Sequence, residues 1–405
     1  MNVLYINTYF AGGGAEKVMR QLFYNMDEDI NTSCIIGRKQ NDLPNDVQVI
    51  YKSFWGRAVT TIMGMMMKNT LLFTVWGRFK LIQFIKKNKI DLVHFHNIHG
   101  NYIGLKDIKT IKRYCPNIVI TLHDMWVLTG GCAHAFDCEK WKTLSCEGCS
   151  GNVSMKKNAI SKYLCCQKKR ALAGQKIRFV TPSQWLKQCC QDSYLKGEDV
   201  SIINNGISIF DFHPNDKNEM RKKYCLSYDK HLLLFIANGL DNPYKGFSCL
   251  CKALSVMNNK EKYALIVVGN KNNHQLDLPF EIYMMGYISD TKTLCEIYSA
   301  ADLFILPSLA DNFPCTAMEA MASGTPVVAF ETGGIPEIVS EDTGWIVSEK
   351  SGQALAQKIE EIFQDQNEAE YNDKKRKCRE RIEELFDERM MASKYAELYR
   401  SILHE

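Results

Sequence analysis

One long stretch of this 405-residue chain has no acidic residue. Between Val47 and Ile90 there is neither Asp nor Glu, while Lys52, Arg57, Lys68, Arg78, Lys80, Lys86, Lys87 and Lys89 all fall within it. The same stretch carries Phe54, Trp55, Met63, Met65, Met66, Met67, Leu71, Leu72, Phe73 and Trp76. Lys68 and Arg78 interrupt it, so neither apolar run reaches the roughly 18 residues that a membrane-crossing helix needs. A spanning segment is excluded there. Basic charge mixed with aromatics and Met predicts contact with an anionic membrane surface instead. The alternative is a pair of core-facing helices with solvated lysines.

No secretory leader is expected either. Met1 runs straight into the apolar strand Val3–Ile6, with no basic region or cleavage pattern before it. Sixteen cysteines occur, among them the adjacent pairs Cys165-Cys166 and Cys189-Cys190. Without a leader these predict free thiols in a reducing, cytoplasmic setting rather than disulfides. A dinucleotide-binding fingerprint is incomplete as well. Gly12-Gly13-Gly14 follows the first strand, but Lys17 stands where the third glycine belongs. The second strand ends in Gly37-Arg38 and not in the acid that would hold an adenosine ribose. What the glycines do permit is close backbone approach to a ligand.

With 46% hydrophobic and 24% charged residues and a net charge of +4, the composition is that of a globular protein. The length fits two domains of ordinary size. Strand and helix patterns alternate in both halves, which predicts an α/β fold with two doubly wound, parallel, Rossmann-like sheets. The first domain is expected over residues 1–206, with a last helix at about 387–405 returning to it, and the second over 207–386. Residues 374–384 (KKRKCRERIEE) read as a solvated helix face and not as a nucleic-acid patch.

Residues 302–339 run strand, loop, helix, strand, loop, helix. Asp311 lies on the first loop, and Glu319 lies eight residues later on the following helix. In an open parallel sheet, ligands bind beyond the carboxyl ends of the strands, and helix N-termini there suit a phosphate. Lys245, before Gly246 on an earlier strand-to-helix loop, places a cation at the same edge, fit for a diphosphate.

This pattern, an acid, seven residues, then Glu within EAMASGTPVVA followed by GGIPEIV, resembles the signature of retaining glycosyltransferases of family 4. The resemblance implies the GT-B arrangement, two Rossmann-like domains facing across a cleft, and transfer of a hexose from a nucleotide-sugar with retention of configuration. It implies that Glu319 holds the donor ribose, that Asp311 lies beside the sugar, and that Asn312, Phe313, Pro314, Cys315 and Thr316 line the donor site, with Asn238 and Lys245 nearby. His123, in His123-Asp124 at a strand end, matches the family's histidine beside the donor sugar. Gly12, Gly13 and Gly14 match a loop bordering acceptor and phosphates. The chain departs from the pattern at Asp311, where Glu is usual, at Pro314, where Gly is common, and at Asn238-Gly239, where an Arg is usual. Lys245 in place of magnesium implies catalysis without a metal cofactor.

A cysteine-rich insertion, GGCAHAFDCEKWKTLSCEGC, contains Cys132, Cys138, Cys146 and Cys149. The last two form a Cys-x2-Cys pair, and all four can complete a structural zinc tetrahedron, with His134 a substitute for one cysteine. The basic first domain suggests a lipid-linked glycan acceptor, as in bacterial surface polysaccharide assembly, at the inner face of the cell membrane. Two other functions fit the same residues. One is a nucleotide-sugar epimerase, and the other is a catalytically idle, zinc-stabilised binding module.

Overall fold

The computed structural model describes residues 1–41, 43–51, 75–100, 102–147, 158–270, 278, 280–364 and 368–405. The chain divides into two compact units. One comprises Met1–Asn205 with Arg389–Glu405, the other Gly206–Glu388.

The N-terminal unit is built on β1 (Asn2–Asn7), β2 (Asn31–Arg38), β3 (Val47–Tyr51), β4 (Leu92–Phe95), β5 (Asn117–Thr121), β6 (Arg178–Thr181) and β7 (Val200–Ile202). They form one sheet in the order β3-β2-β1-β4-β5-β6-β7, every neighbouring pair parallel. Its helices are α1 (Gly14–Asn25), α2 (Val75–Lys87), α3 (Leu105–Lys112), α4 (Asn158–Leu172) and α5 (Gln184–Gln191). A parallel sheet is covered on both faces, so its strands are continuously apolar. Leu92, Val93 and Phe95 of β4 are accordingly buried. Strand β3 has no counterpart in the sequence expectation. Its VQVIY alternates too briefly to stand out, and it gains definition only by pairing with β2 at the sheet edge.

The second unit has β8 (His231–Gly239), β9 (Tyr263–Asn270), β10 (Glu281–Gly286), β11 (Leu303–Leu306), β12 (Val327–Phe330) and β13 (Gly344–Val347). Their order is β10-β9-β8-β11-β12-β13, again all parallel. Helices α6 (Lys217–Lys223), α7 (Phe247–Val256), α8 (Thr291–Ala300), α9 (Cys315–Ala322), α10 (Ile335–Ile338), α11 (Gly352–Gln364) and α12 (Glu368–Leu385) complete it. In each sheet the strand order reverses direction once, between β1 and β4 and between β8 and β11. Such reversals open the crevice in which doubly wound sheets hold ligands.

The last helix, α13 (Glu388–His404), packs on the N-terminal unit through buried Tyr395 and Tyr399. Most of the acid-free segment, residues 52–74, lies outside the described residues. Its described remainder, α2, turns Leu81 and Ile85 into the core and leaves Phe79 64% exposed. No helix among the described residues is long and apolar enough to cross a membrane.

Candidate active site

Three loops of the second unit meet at the carboxyl ends of β8, β11 and β12. After β8 the chain makes a single tight turn, Pro243–Lys245, opened by the Asn242 side chain, which accepts from the Tyr244 N–H at 3.0 Å. Gly246 closes that turn in the left-handed region at φ +69°, and a Cβ there would lie 1.7 Å from the Pro307 carbonyl. Only glycine lets the turn sit this close to the end of β11. The Tyr244 carbonyl then accepts from Leu309 N–H at 2.8 Å, locking the two loops together. Gly333 plays the same part after β12. It also adopts a positive φ, +56°, and a Cβ would come within 2.0 Å of the Asp311 carbonyl. Next to it, Gly334 N–H donates to the Asn312 carbonyl at 2.7 Å.

This knitting puts Lys245 against Asp311. Lys245 Nζ lies 2.6 Å from Asp311 Oδ2, with side chains 31% and 14% exposed. Asp311 Oδ1 accepts from Asn312 N–H at 3.1 Å. The aspartate, a methylene shorter than the usual glutamate, therefore reaches the lysine while held close to its own loop. Asn238 is exposed at the end of β8. Phe313 is buried against Phe386, ring centroids 5.7 Å apart. Pro314 caps α9, which opens with Cys315 and Thr316. One turn further along α9, buried Glu319 accepts at Oε2 from the phenol of Tyr298, 2.9 Å away. Tyr298 was missed in the sequence. Nothing in the spacing from α8 to α9 marks a contact made only after folding.

The N-terminal unit has its own polar cluster at the ends of β1, β4 and β5. Gly12, Gly13 and Gly14 lead from β1 into α1. The Gly13 N–H is already committed, donating at 2.9 Å to Glu16 Oε2. Glu16 Oε1 in turn accepts from Asn97 Nδ2 at 3.3 Å. The loop is thus tied to the end of β4. His94, His96 and Thr121 share one face of the sheet because β4 and β5 pair in parallel register. His96 Nδ1 and His123 Nε2 are hydrogen-bonded at 2.9 Å. His94 bonds to Tyr399 Oη and Thr121 Oγ1, each at 2.7 Å, and Thr121 bonds to Tyr395 Oη at 2.8 Å. Burial pushes His94 and His96 well below the usual imidazole range and His123 down to about 4. All three are neutral at pH 7. Asp124 is also low. Burial would raise it, but the bond and charge of His99, 3.3 Å away, outweigh that, with Trp126 N–H adding a bond at 2.7 Å.

In the cysteine insertion, Cys132 and Cys138 are half-buried and Cys146 is buried. Among the described residues no three His, Cys, Asp or Glu side chains gather into a metal-holding group. Of the expected zinc ligands, Cys132, Cys138 and Cys146 are described, as is His134, and Cys149 lies outside the described residues. The thiol of Cys165 on α4 hydrogen-bonds Cys146 and favours its thiolate. Lys168, one turn on, is fully buried, donates to the Trp126 and Thr129 carbonyls, and stacks its ammonium 3.4 Å from the Trp126 ring centre. Burial lowers it to about 7. An Asp-x-Asp triplet, which can chelate a divalent cation, occurs at Asp27-Glu28-Asp29. It lies just before β2, at the amino ends of the strands, and Arg400 spans both aspartates at 2.6 Å.

A family model described as Glycosyltransferase Family 4 matches residues 12–209, and one described as Glycosyl transferases group 1 matches residues 216–384. These two domains make the chain a glycosyltransferase. The glycosyltransferase is 26% identical over 388 residues to the putative colanic acid biosynthesis glycosyl transferase WcaC of Escherichia coli K12, covering 88% of this chain and 90% of the relative. It shares its fold with sucrose-phosphate synthase of Thermosynechococcus elongatus, at a TM-score of 0.76 and 18% identity, over 100% of both chains. It also shares it with Anabaena HepE, solved in complex with UDP-glucose, at a TM-score of 0.67 and 17% identity, over 99% of this chain and 100% of that one. The fold of the glycosyltransferase is that of the GT-B enzymes, two Rossmann-like parallel sheets. The loop carrying Asp311 and the helix carrying Glu319 belong to the group 1 domain. His123 and the glycine loop belong to the family 4 domain.

Proposed function

We propose that this glycosyltransferase moves a hexose from a nucleotide-sugar to a lipid-linked glycan during assembly of a bacterial surface polysaccharide, retaining the anomeric configuration and using no catalytic metal. The observation that carries this reading is the convergence of Lys245 and Asp311 at the strand-order reversal, with Glu319 on the adjoining helix. A nucleotide-sugar already has a good leaving group, so the protein's task is to stabilise charge as the diphosphate departs. Lys245 and the first-turn amides of Cys315 and Thr316 meet that charge. Asp311 keeps Lys245 in place and faces the sugar, Glu319 orients the ribose, and Asn238, Asn312, Phe313 and Pro314 shape the loop around them. Within the N-terminal unit, His123 and Gly12–Gly14 stand at the strand ends, where a doubly wound sheet holds ligands. UDP-glucose bound to HepE and the colanic acid pathway in the WcaC name support the donor class and the pathway. The acid-free stretch, with Phe79, Lys86 and Lys87 on α2, supports an anionic membrane surface as a partner at the inner face of the membrane.

The test is turnover of UDP-, GDP- and ADP-sugars with and without membrane lipids bearing glycan. Acceptor-dependent release of nucleoside diphosphate, unchanged by EDTA, is the expected result. Loss of activity in EDTA would contradict the metal-free mechanism. Sugar isomerisation without an acceptor would replace the transferase with an epimerase, and no turnover of any donor would leave a binding module.

A further inference from the structure

Glu319 is the buried carboxylate of the second unit to which the ribose is assigned, and its Oε2 accepts a hydrogen bond from Tyr298 at 2.9 Å. Tyr298 belongs to α8, 21 residues earlier, and has no exposed surface. Its ring is wedged edge-on against Phe212 and Phe304, at centroid separations of 6.2 and 5.5 Å. Its backbone is pinned too, the carbonyl accepting from Thr325 Oγ1 at 2.7 Å. A phenol held this rigidly is a poor choice for packing alone, since phenylalanine would fill the space without a polar atom to satisfy. Its oxygen has a use in holding Glu319. The same oxygen stays protonated, because burial and the carboxylate beside it raise its pKa far above that of an exposed tyrosine.

We propose that Tyr298 is a positioning residue for donor recognition: its phenol holds Oε2 of Glu319, fixing the carboxylate plane that accepts the ribose hydroxyls. This rests on the reading of Glu319 as the ribose ligand. Tyr298 thus sets the geometry of the group that distinguishes ribose from deoxyribose. A hydrogen bond to a charged group corresponds to a change in affinity of roughly ten- to a hundredfold.

The experiment is calorimetric titration of the whole protein, unaltered, as Tyr298→Phe and as Glu319→Ala, with UDP, GDP, ADP and their 2′-deoxy forms, at pH 7.5. The unaltered protein should prefer one ribonucleotide over its deoxy form. Tyr298→Phe should bind that ribonucleotide about tenfold more weakly and leave the deoxy form nearly unchanged. The ratio of the two affinities does not depend on the fraction of protein that folds, so a destabilised variant still gives an answer. If Tyr298→Phe keeps the ratio while Glu319→Ala abolishes it, the positioning role is wrong and the ribose assignment stands. If Glu319→Ala also keeps the ratio, or no nucleotide binds, the ribose assignment falls and the role of Tyr298 falls with it.

Discussion

Lys245 illustrates how a single side chain can matter for chemistry and little for stability. Its ion pair with Asp311 is partly solvated, and such pairs contribute about 0–1 kcal/mol. Lys245→Ala should therefore leave the melting temperature within a few degrees, yet lower turnover about a hundredfold by removing a charge from the departing diphosphate. Parallel melting and turnover measurements check both halves. The histidines show the opposite balance. His123 titrates at about 4 when folded, and burial holds His94 and His96 well below their ordinary range, against about 6.5 in the unfolded chain. A lowered folded pKa means that the unfolded state binds more protons below pH 6.5. Stability from these groups is complete above that value and is lost as pH falls toward 4. The melting temperature should decline from pH 7 to pH 5, before most carboxylates titrate, and His94→Asn should flatten the decline. His231, which burial also lowers, contributes in the same direction.

At the scale of elements, the glycines that end the turns set the site. Gly246 sits at a positive φ with the Pro307 carbonyl where a Cβ would be. Gly246→Ala should cost about 2–4 kcal/mol, by backbone strain plus a forced separation of the β8 and β11 loops. The denaturation midpoint should fall, and nucleotide binding should weaken even at temperatures where the variant is folded. These loops were largely legible in the sequence. Gly246 after Lys245, and Gly333-Gly334 before Pro336, announce turns, and the spacing from Asp311 to Glu319 announces loop then helix. Strand β3 and the Tyr298–Glu319 bond were not. A five-residue edge strand carries too little pattern to be seen, and a contact between two helices is fixed by packing that no local periodicity encodes. The bond between Cys146 and Cys165 of α4 was hidden for a similar reason, its two partners being remote in sequence.

For the whole molecule, the return of α13 is the feature that joins the two ends of the chain. Tyr399 Oη meets both His94 and Tyr5, and Tyr395 Oη meets Thr121, all buried. Removing residues 389–405 should leave these groups without partners and the N-terminal unit unable to fold, visible as loss of its cooperative melting transition. Tyr399→Phe, which strips one hydroxyl from the network, should cost only about 1–3 kcal/mol. The alternation of strand and helix in the sequence showed two parallel sheets, and buried runs such as Leu232–Phe235 marked their central strands. The identity of the donor sugar, by contrast, depends on side chains brought together from distant loops. The central claim is that the crevice holding Lys245, Asp311 and Glu319 binds a nucleotide, and a thermal-shift screen against nucleoside diphosphates tests it most directly. At 100 times Kd one of them should stabilise the unaltered protein by about 2.7 kcal/mol, a shift that Glu319→Ala largely abolishes. No shift with any nucleotide, or an equal shift in Glu319→Ala, would contradict the account.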